Sequence, residues 1–114
     1  MAVYVDEIRD WTRLAKMRGL RHTHWCRLTA DTEEELHAFA TRLGLRRAWF
    51  QKKSPRDYRW HYDVTPPKRA HAVRLGAVEI DRRGLLPILD ARRAALGMVP
   101  GSEVVARAVE GREA

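Results

Sequence analysis

Residues 31–44 constrain the fold more than any other segment of this chain, because they carry a complete set of helix signals. Asp31 or Thr32 can cap the start, and in either case a glutamate three positions later completes a capping box. Gly44 supplies the left-handed stop that commonly ends a helix. One apolar stripe runs between these signals: Leu36, Phe39, Ala40 and Leu43. The sequence therefore predicts a helix over residues 33–43 with this stripe facing a core.

A second segment repeats this order of signals. Thr65 can cap a helix with Pro66 at its first position, where proline is favoured, and Gly76 follows the helix. Short strands are predicted around both helices, at residues 3–6, 23–29, 48–51, 61–64 and 77–80. Two such units favour the α/β class, as a small single-domain sandwich with a mixed sheet of about four strands and about three helices. The repetition also has a simpler explanation, since many helices start at a cap and stop at a glycine.

Two further segments have weaker helix signals. Residues 7–22 contain three apolar residues at intervals of three, which permits a short helix or a loop. Residues 81–96 contain another helix, for which we predict a start near Leu85 because Pro87 fits only a first turn.

The length and the cysteine count indicate one domain in a reducing compartment. We expect a domain over residues 1–114, with its core at about 3–96 and a tail or weak helix at 97–114. Cys26 is the only cysteine, which excludes an intrachain disulfide. Asp6 comes too early for a signal peptide, and no apolar run approaches the roughly 18 residues of a membrane span. We therefore expect a cytoplasmic protein without a membrane partner, and the oligomeric state stays open.

The basic side chains are clustered, which indicates an anionic partner. The net charge is +7, from 22 lysines and arginines against 15 acidic residues. Residues 42–60 contain seven basic side chains and one acidic one, whereas residues 31–35 are acidic. A GC-rich genome favours arginine and alanine and can explain the total, but it does not explain the clustering. We expect an anionic small molecule or a nucleic acid as the partner.

Within residues 46–68, aromatic rings, a histidine and a carboxylate accompany this positive charge. His61 and Asp63 are two positions apart, so on a strand their side chains share a face. There the carboxylate can orient the imidazole as a general acid or base. The pair could also hold a divalent metal, although no motif requires one and the cofactor stays unknown. His37, at the margin of the apolar stripe, is the third catalytic candidate.

Other residues are candidates for binding the ligand, either by charge, by stacking or by hydrogen bonds. These candidates are Asp6, Arg46, Arg47, Trp49, Gln51, Tyr62 and Lys68. Large aromatic residues mostly build the core of a small domain, so we expect either Trp49 or Phe50 to be buried. His22 and His24 lack neighbouring carboxylates and are interpreted as strand surface, and Cys26 as core.

Several short motifs follow one another in a fixed order along residues 3–81. They are Val3-Tyr-Val-Asp6, Ala30-Asp31-Thr32, Glu35-Leu36-His37-Ala38-Phe39-Ala40, Leu43-Gly44, Trp49-Phe50-Gln51, His61-Tyr62-Asp63, Lys68-Arg69-Ala70 and Gly76-Ala77-Val78-Glu79. Together they resemble the family called domain of unknown function 4031, which occurs in bacteria and in phages. The resemblance implies no activity. It implies a shared pattern that contains Asp6, His37, Trp49, Gln51, His61, Tyr62 and Asp63. Two positions depart from it, because Glu7 replaces a second aspartate and Arg27 stands where a histidine is common.

Three functional hypotheses follow from these residues. The leading one is a small enzyme, or degenerate enzyme, acting on a phosphorylated or nucleotide-like ligand, with His61 as general acid or base. The alternative is a non-catalytic nucleic-acid-binding module whose rings stack on bases and whose loop 52–60 follows phosphates. The third is a phage-type accessory protein that acts by protein contact alone. A catalyst should gather His37, His61 and Asp63 into one pocket, whereas a nucleic-acid binder should spread its basic residues over an open surface.

Overall fold

The fold is taken from a computed structural model, which describes residues 2–98. Within this part of the chain, five strands and four α-helices occur. The strands are β1 (Val3–Val5), β2 (Arg9–Asp10), β3 (His24–Ala30), β4 (Tyr62–Val64) and β5 (Val78–Glu79). The helices are α1 (Thr12–Arg18), α2 (Glu33–Leu43), α3 (Pro66–Arg74) and α4 (Arg82–Ala95). The predicted α/β class is confirmed, while most of the predicted tail at 97–114 lies outside the described residues.

The sheet is mixed and is built around β3. Strands β1 and β4 flank β3 and both run antiparallel to it, and β5 pairs with β1 in parallel. Strand β2 pairs with the first residues of β3. The register places Arg27 of β3 directly opposite Asp63 of β4. Opposed residues of neighbouring strands lie on the same face of a sheet, so these two side chains share one face.

Helix α2 forms as its sequence predicts. The Thr32 hydroxyl accepts a hydrogen bond from the Glu35 backbone N–H at 3.2 Å and donates to the Glu35 carboxylate at 3.0 Å. All four residues of the apolar stripe are buried. Gly44 ends the helix in the left-handed conformation, with φ of +84°. Asp31, the other predicted cap, instead accepts hydrogen bonds from the Ala2 N–H and the Tyr4 hydroxyl and so anchors β1.

The core lies between one face of the sheet and the two helices α2 and α3. Strand alternation divides β4 between its two faces: Tyr62 and Val64 are buried, and Asp63 between them is exposed. The largest fully buried side chains are Tyr62, Leu28, Leu36, Leu43, Val5 and Val64. This alternation decides which candidate residues can meet.

The predicted strand at 48–51 is wrong. Arg47–Trp49 forms a 3-10 turn instead, in which the N–H groups of Trp49 and Phe50 bond to the carbonyls of Arg46 and Arg47. These local bonds occupy backbone N–H groups that, in an extended strand, would pair with a neighbouring strand. Only Gln51 of that segment pairs with the sheet, through an isolated bridge to His61.

The predicted start of α4 near Leu85 is also wrong. The Asp81 carboxylate accepts a hydrogen bond from the Gly84 N–H at 2.9 Å, so the helix begins at Arg82. Pro87 therefore lies inside the helix, where its missing N–H leaves the carbonyl four residues earlier without its helical partner. The cap at Asp81 outweighs the proline as a signal for the helix start.

Candidate functional site

The predicted pair of His61 and Asp63 is formed, with His61 directly before β4 and Asp63 within it. The Nε2 atom of His61 lies 3.2 Å from one carboxylate oxygen of Asp63, and both side chains point away from the core. Gln51 crosses from the adjacent bridge and donates its side-chain N–H to the other carboxylate oxygen. The sheet therefore brings together three sequence candidates, His61, Asp63 and Gln51.

Both nitrogens of His61 are already engaged. Nδ1 lies 2.6 Å from the Arg59 carbonyl oxygen, and Nε2 faces the Asp63 carboxylate. Each of these contacts is a hydrogen bond only when the nitrogen carries a proton. No ring nitrogen is left to exchange a proton with a ligand. This geometry favours His61 as a positioning residue for Asp63, and its catalytic role stays a prediction.

Asp63 is an exposed and fixed anion. Burial alone would raise the pKa of this carboxyl, but the hydrogen bonds from His61 and Gln51 and the charge of Arg27 outweigh it and lower the pKa below its usual value. The side chain remains 40% exposed to solvent. Asp63 can therefore present a carboxylate to a ligand without first losing a proton near neutral pH.

His37 does not join this pair. Its Nδ1 atom lies 2.9 Å from the Tyr62 hydroxyl, and its ring packs against Phe50 with centroids 4.4 Å apart. Tyr62 is adjacent to Asp63 in the chain, but it points to the other face of the sheet. A catalyst was expected to gather His37, His61 and Asp63 into one pocket, but the alternation of the strand places His37 and Asp63 on opposite faces of the sheet.

Asp6 has a structural role at the end of β1. Its residue is 4% exposed, and its carboxylate accepts a hydrogen bond from the Arg27 backbone N–H at 2.6 Å. Its carbonyl accepts another from the Arg69 side chain at 2.8 Å. Asp6 thus joins β1, β3 and α3, and these contacts account for its burial.

Each of the remaining candidates either caps a helix or lies at or near the protein surface. Lys68 donates to the Leu43 carbonyl at 2.8 Å, so it caps the C-terminus of α2. The guanidinium of Arg46 lies 5.6 Å from the centre of the Trp49 ring, and Trp49 is 49% exposed. Arg47 lies 4.8 Å from the Phe50 ring, which packs against the core. Phe50 is thus the inward one of the two aromatic neighbours, but it is only partly buried, so the prediction that one of them is buried is not met in full.

Arg92 is 8% exposed and was not among the residues predicted from the sequence. Its guanidinium donates to the Tyr58, Trp60 and Ala30 carbonyls and to the Thr29 hydroxyl. Burial lowers the pKa of this guanidinium to about 10. A signal was present, since Arg92 lies three residues after Leu89 and seven after Leu85, on the same side of α4.

The described residues offer little for a metal or a deep ligand pocket. Among residues 2–98, no three side chains of histidine, cysteine, aspartate or glutamate converge as a metal site would require. One open cavity of about 210 Å³ lies beside Trp60 and Arg92, and another of about 270 Å³ beside His22 and His24. His61 and Asp63 line neither of them. None of the described helices is long and apolar enough to span a membrane.

Comparison with known proteins gives one match. The family model described as "Protein of unknown function (DUF4031)" matches residues 3–92, which include all five described strands and α4 up to Arg92. No curated protein and no solved structure matches the chain. The matched range ends at Arg92, so the buried arginine lies within it.

Proposed function

The chain belongs to this DUF4031 family of proteins of unknown function, and we propose that it binds single-stranded nucleic acid. The binding surface would consist of Arg46, Trp49 and the basic loop at residues 52–59. The single observation that carries the proposal is the exposed Trp49 ring with the Arg46 guanidinium beside it. Single-strand binders combine such a ring, on which a base stacks, with cations that follow the phosphates.

The basic loop supports the proposal by its conformation. Asp57 accepts hydrogen bonds from the backbone N–H groups of Lys53 and Arg59, each at 2.9 Å, so one acidic side chain organises the loop. The cationic side chains are therefore left on the outside of the turn. Lys52 bonds to Glu33, and Arg56 bonds to the Leu96 carbonyl. We assign the phosphate contacts to Arg46, Lys53 and Arg59, which are exposed.

An enzymatic function is the second candidate, because Asp63 is a fixed and exposed carboxylate. In that case it would accept a proton or a hydrogen bond from a nucleotide-like ligand, held in position by His61 and Gln51. We rank it second because the two nitrogens of His61 are engaged and His37 lies on the other face. A cytoplasmic location stays a prediction, as does a role in phages.

Fluorescence anisotropy with labelled single-stranded oligonucleotides tests the proposal. Trp49→Ala should weaken binding by about 5-fold or more, since base stacking on one ring contributes roughly 1–3 kcal/mol. Arg46→Ala should weaken binding and reduce the dependence of affinity on salt by roughly 0.7 in log–log slope. Trp11→Ala is the matched control, because Trp11 is 38% exposed on another part of the surface.

Two results would count against nucleic-acid binding. One is the absence of binding to any oligonucleotide at low salt, which would favour an accessory protein acting through protein contacts. The other is an equal effect of Trp49→Ala and Trp11→Ala, which would mean that the affinity does not depend on this surface. Thermal-shift screening of the same variants with nucleotides would then test the enzymatic candidate.

A further inference from the structure

A hydrogen-bonded cluster lies on the core side of β4, opposite to Asp63. It consists of His37 on α2, Tyr62 on β4, and Phe50 and Arg47 at the 3-10 turn. The rings of His37 and Phe50 meet edge to face at 4.4 Å, and those of His37 and Tyr62 at 5.9 Å. Trp49 is the next residue in the chain before Phe50, so the cluster adjoins the proposed binding surface.

The direction of the hydrogen bonds in this cluster can be worked out from its donors. Burial raises the pKa of the Tyr62 hydroxyl more than Arg47 lowers it, so the hydroxyl keeps its proton. Tyr62 is 1% exposed, and among residues 2–98 its hydroxyl has one hydrogen-bond partner, Nδ1 of His37 at 2.9 Å. A buried O–H group pairs with an acceptor, so its proton is donated to Nδ1.

This polarity fixes the state of the His37 ring. Burial and the charge of Arg47 lower the pKa of His37, and the opposing effect of Glu33 on the same helix is smaller. The ring is accordingly neutral near pH 7, with one proton to place. Because Nδ1 accepts from Tyr62, that proton is on Nε2. Among residues 2–98, the His37 ring forms one hydrogen bond, through Nδ1, and the residue is only partly buried, so Nε2–H is left for a ligand.

We propose that the Nε2–H group of His37 donates a hydrogen bond to an acceptor atom on the edge of a nucleic-acid base. Tyr62 is the positioning residue that holds the ring in this tautomer. A neutral donor suits a base carbonyl or ring nitrogen, whereas phosphates are matched by the cations of the loop. Unstacked bases of single strands expose such acceptor edges. The inference rests on the proposed function and adds to it a preference among bases.

The tautomer is tested without any ligand by ¹⁵N NMR of the histidine rings. The expected spectrum at neutral pH has His37 protonated at Nε2 and unprotonated at Nδ1. Tyr62→Phe retains the aromatic ring but removes the donor to Nδ1, so both tautomers should then be populated. A proton on Nδ1 in the wild-type protein, or a Tyr62→Phe spectrum identical to the wild type, would overturn the inference.

The contact to a base is tested with oligonucleotides of a single base type. His37→Phe should weaken binding by about 5-fold, as the loss of one hydrogen bond predicts, and by different factors for different bases. His22→Ala, at an exposed histidine on another segment, is the control and should have no effect. Circular dichroism checks folding, and Tyr62→Phe provides the second variant if His37→Phe fails to fold.

The outcomes separate this inference from the proposed function. Loss of binding in Trp49→Ala but not in His37→Phe or Tyr62→Phe would leave the proposed function intact and overturn the role of His37. A weakening of equal size for every base would assign the contact to phosphate and overturn the base contact. A wild-type protein that binds no oligonucleotide would overturn both.

Discussion

Replacing Arg92 should destabilise the protein far more than replacing an exposed arginine of the same helix. The guanidinium makes four hydrogen bonds of 2.5–3.2 Å to groups on β3 and on the segment before β4. It also lies 3.3 Å from the centre of the Trp60 ring. Through these contacts Arg92 attaches the C-terminal half of α4 to the sheet.

The size of the effect follows from what Arg92→Ala leaves behind. The Ala30, Tyr58 and Trp60 carbonyls would lose the bond from this charged donor, and such bonds contribute roughly 1.5–3 kcal/mol each. The contact with a desolvated ring adds about 2 kcal/mol. Burial of the charge opposes these gains, as the lowered pKa of Arg92 shows. We therefore expect a net loss of about 3 kcal/mol, a large part of the 5–15 kcal/mol typical of a domain.

Urea denaturation followed by circular dichroism measures this loss. Arg83→Ala is the matched control, because Arg83 lies on the same helix and is exposed, and its effect should stay within about 0.5 kcal/mol. Arg92→Met tests the cause, since it fills the volume but offers no donors and should still lose about 2 kcal/mol. The reasoning is refuted if the midpoints of Arg92→Ala and Arg83→Ala agree within error.

Three further predictions concern α2 and the two clusters of β4. Thr32→Ala should cost about 1 kcal/mol in urea denaturation, and an unchanged midpoint would contradict the capping role. Because the pKa of His37 is lowered from 6.5, the unfolded chain binds the proton first, so stability should fall as the pH drops below about 6.5. His37→Gln should flatten that dependence, and an unaltered pH profile would count against it. Gln51→Ala should raise the pKa of Asp63, as measured by ¹³C NMR titration. An unchanged pKa would contradict a role of the Gln51 hydrogen bond in stabilising the carboxylate.

Helix α2 could be predicted to the residue because all its signals are contiguous. The cap at Thr32, the stripe and Gly44 act within the helix itself, and nothing from the sheet had to be known. The pair His61 and Asp63 was predictable for the same reason, since the strand period alone places both on one face. The local pattern did not reveal that the Arg59 carbonyl would occupy the second nitrogen of His61.

The errors arise where tertiary contacts or competing local bonds decide. Residues 48–51 have strand-like composition, but the carbonyls of Arg46 and Arg47 capture the N–H groups and close a turn. The position of His37 depends on how α2 packs on β4, which no periodicity within α2 can specify. The hydrogen bonds of Arg92 could not be predicted from the local sequence, because their acceptors lie 32 to 63 residues away along the chain.

Successive side chains at β4 face opposite sides of the sheet, which limits the residues that can act together in any function. Three consecutive residues, His61, Tyr62 and Asp63, point in alternate directions, so one short strand serves two separate clusters. The anionic cluster of Asp63 would repel a phosphate, whereas the cluster of His37 adjoins the Arg46 and Trp49 surface. Of the two clusters, that of His37 is therefore the one that can offer a neutral donor to a nucleic acid at that surface. Strand geometry, rather than distance along the chain, decides which neighbouring residues can act together.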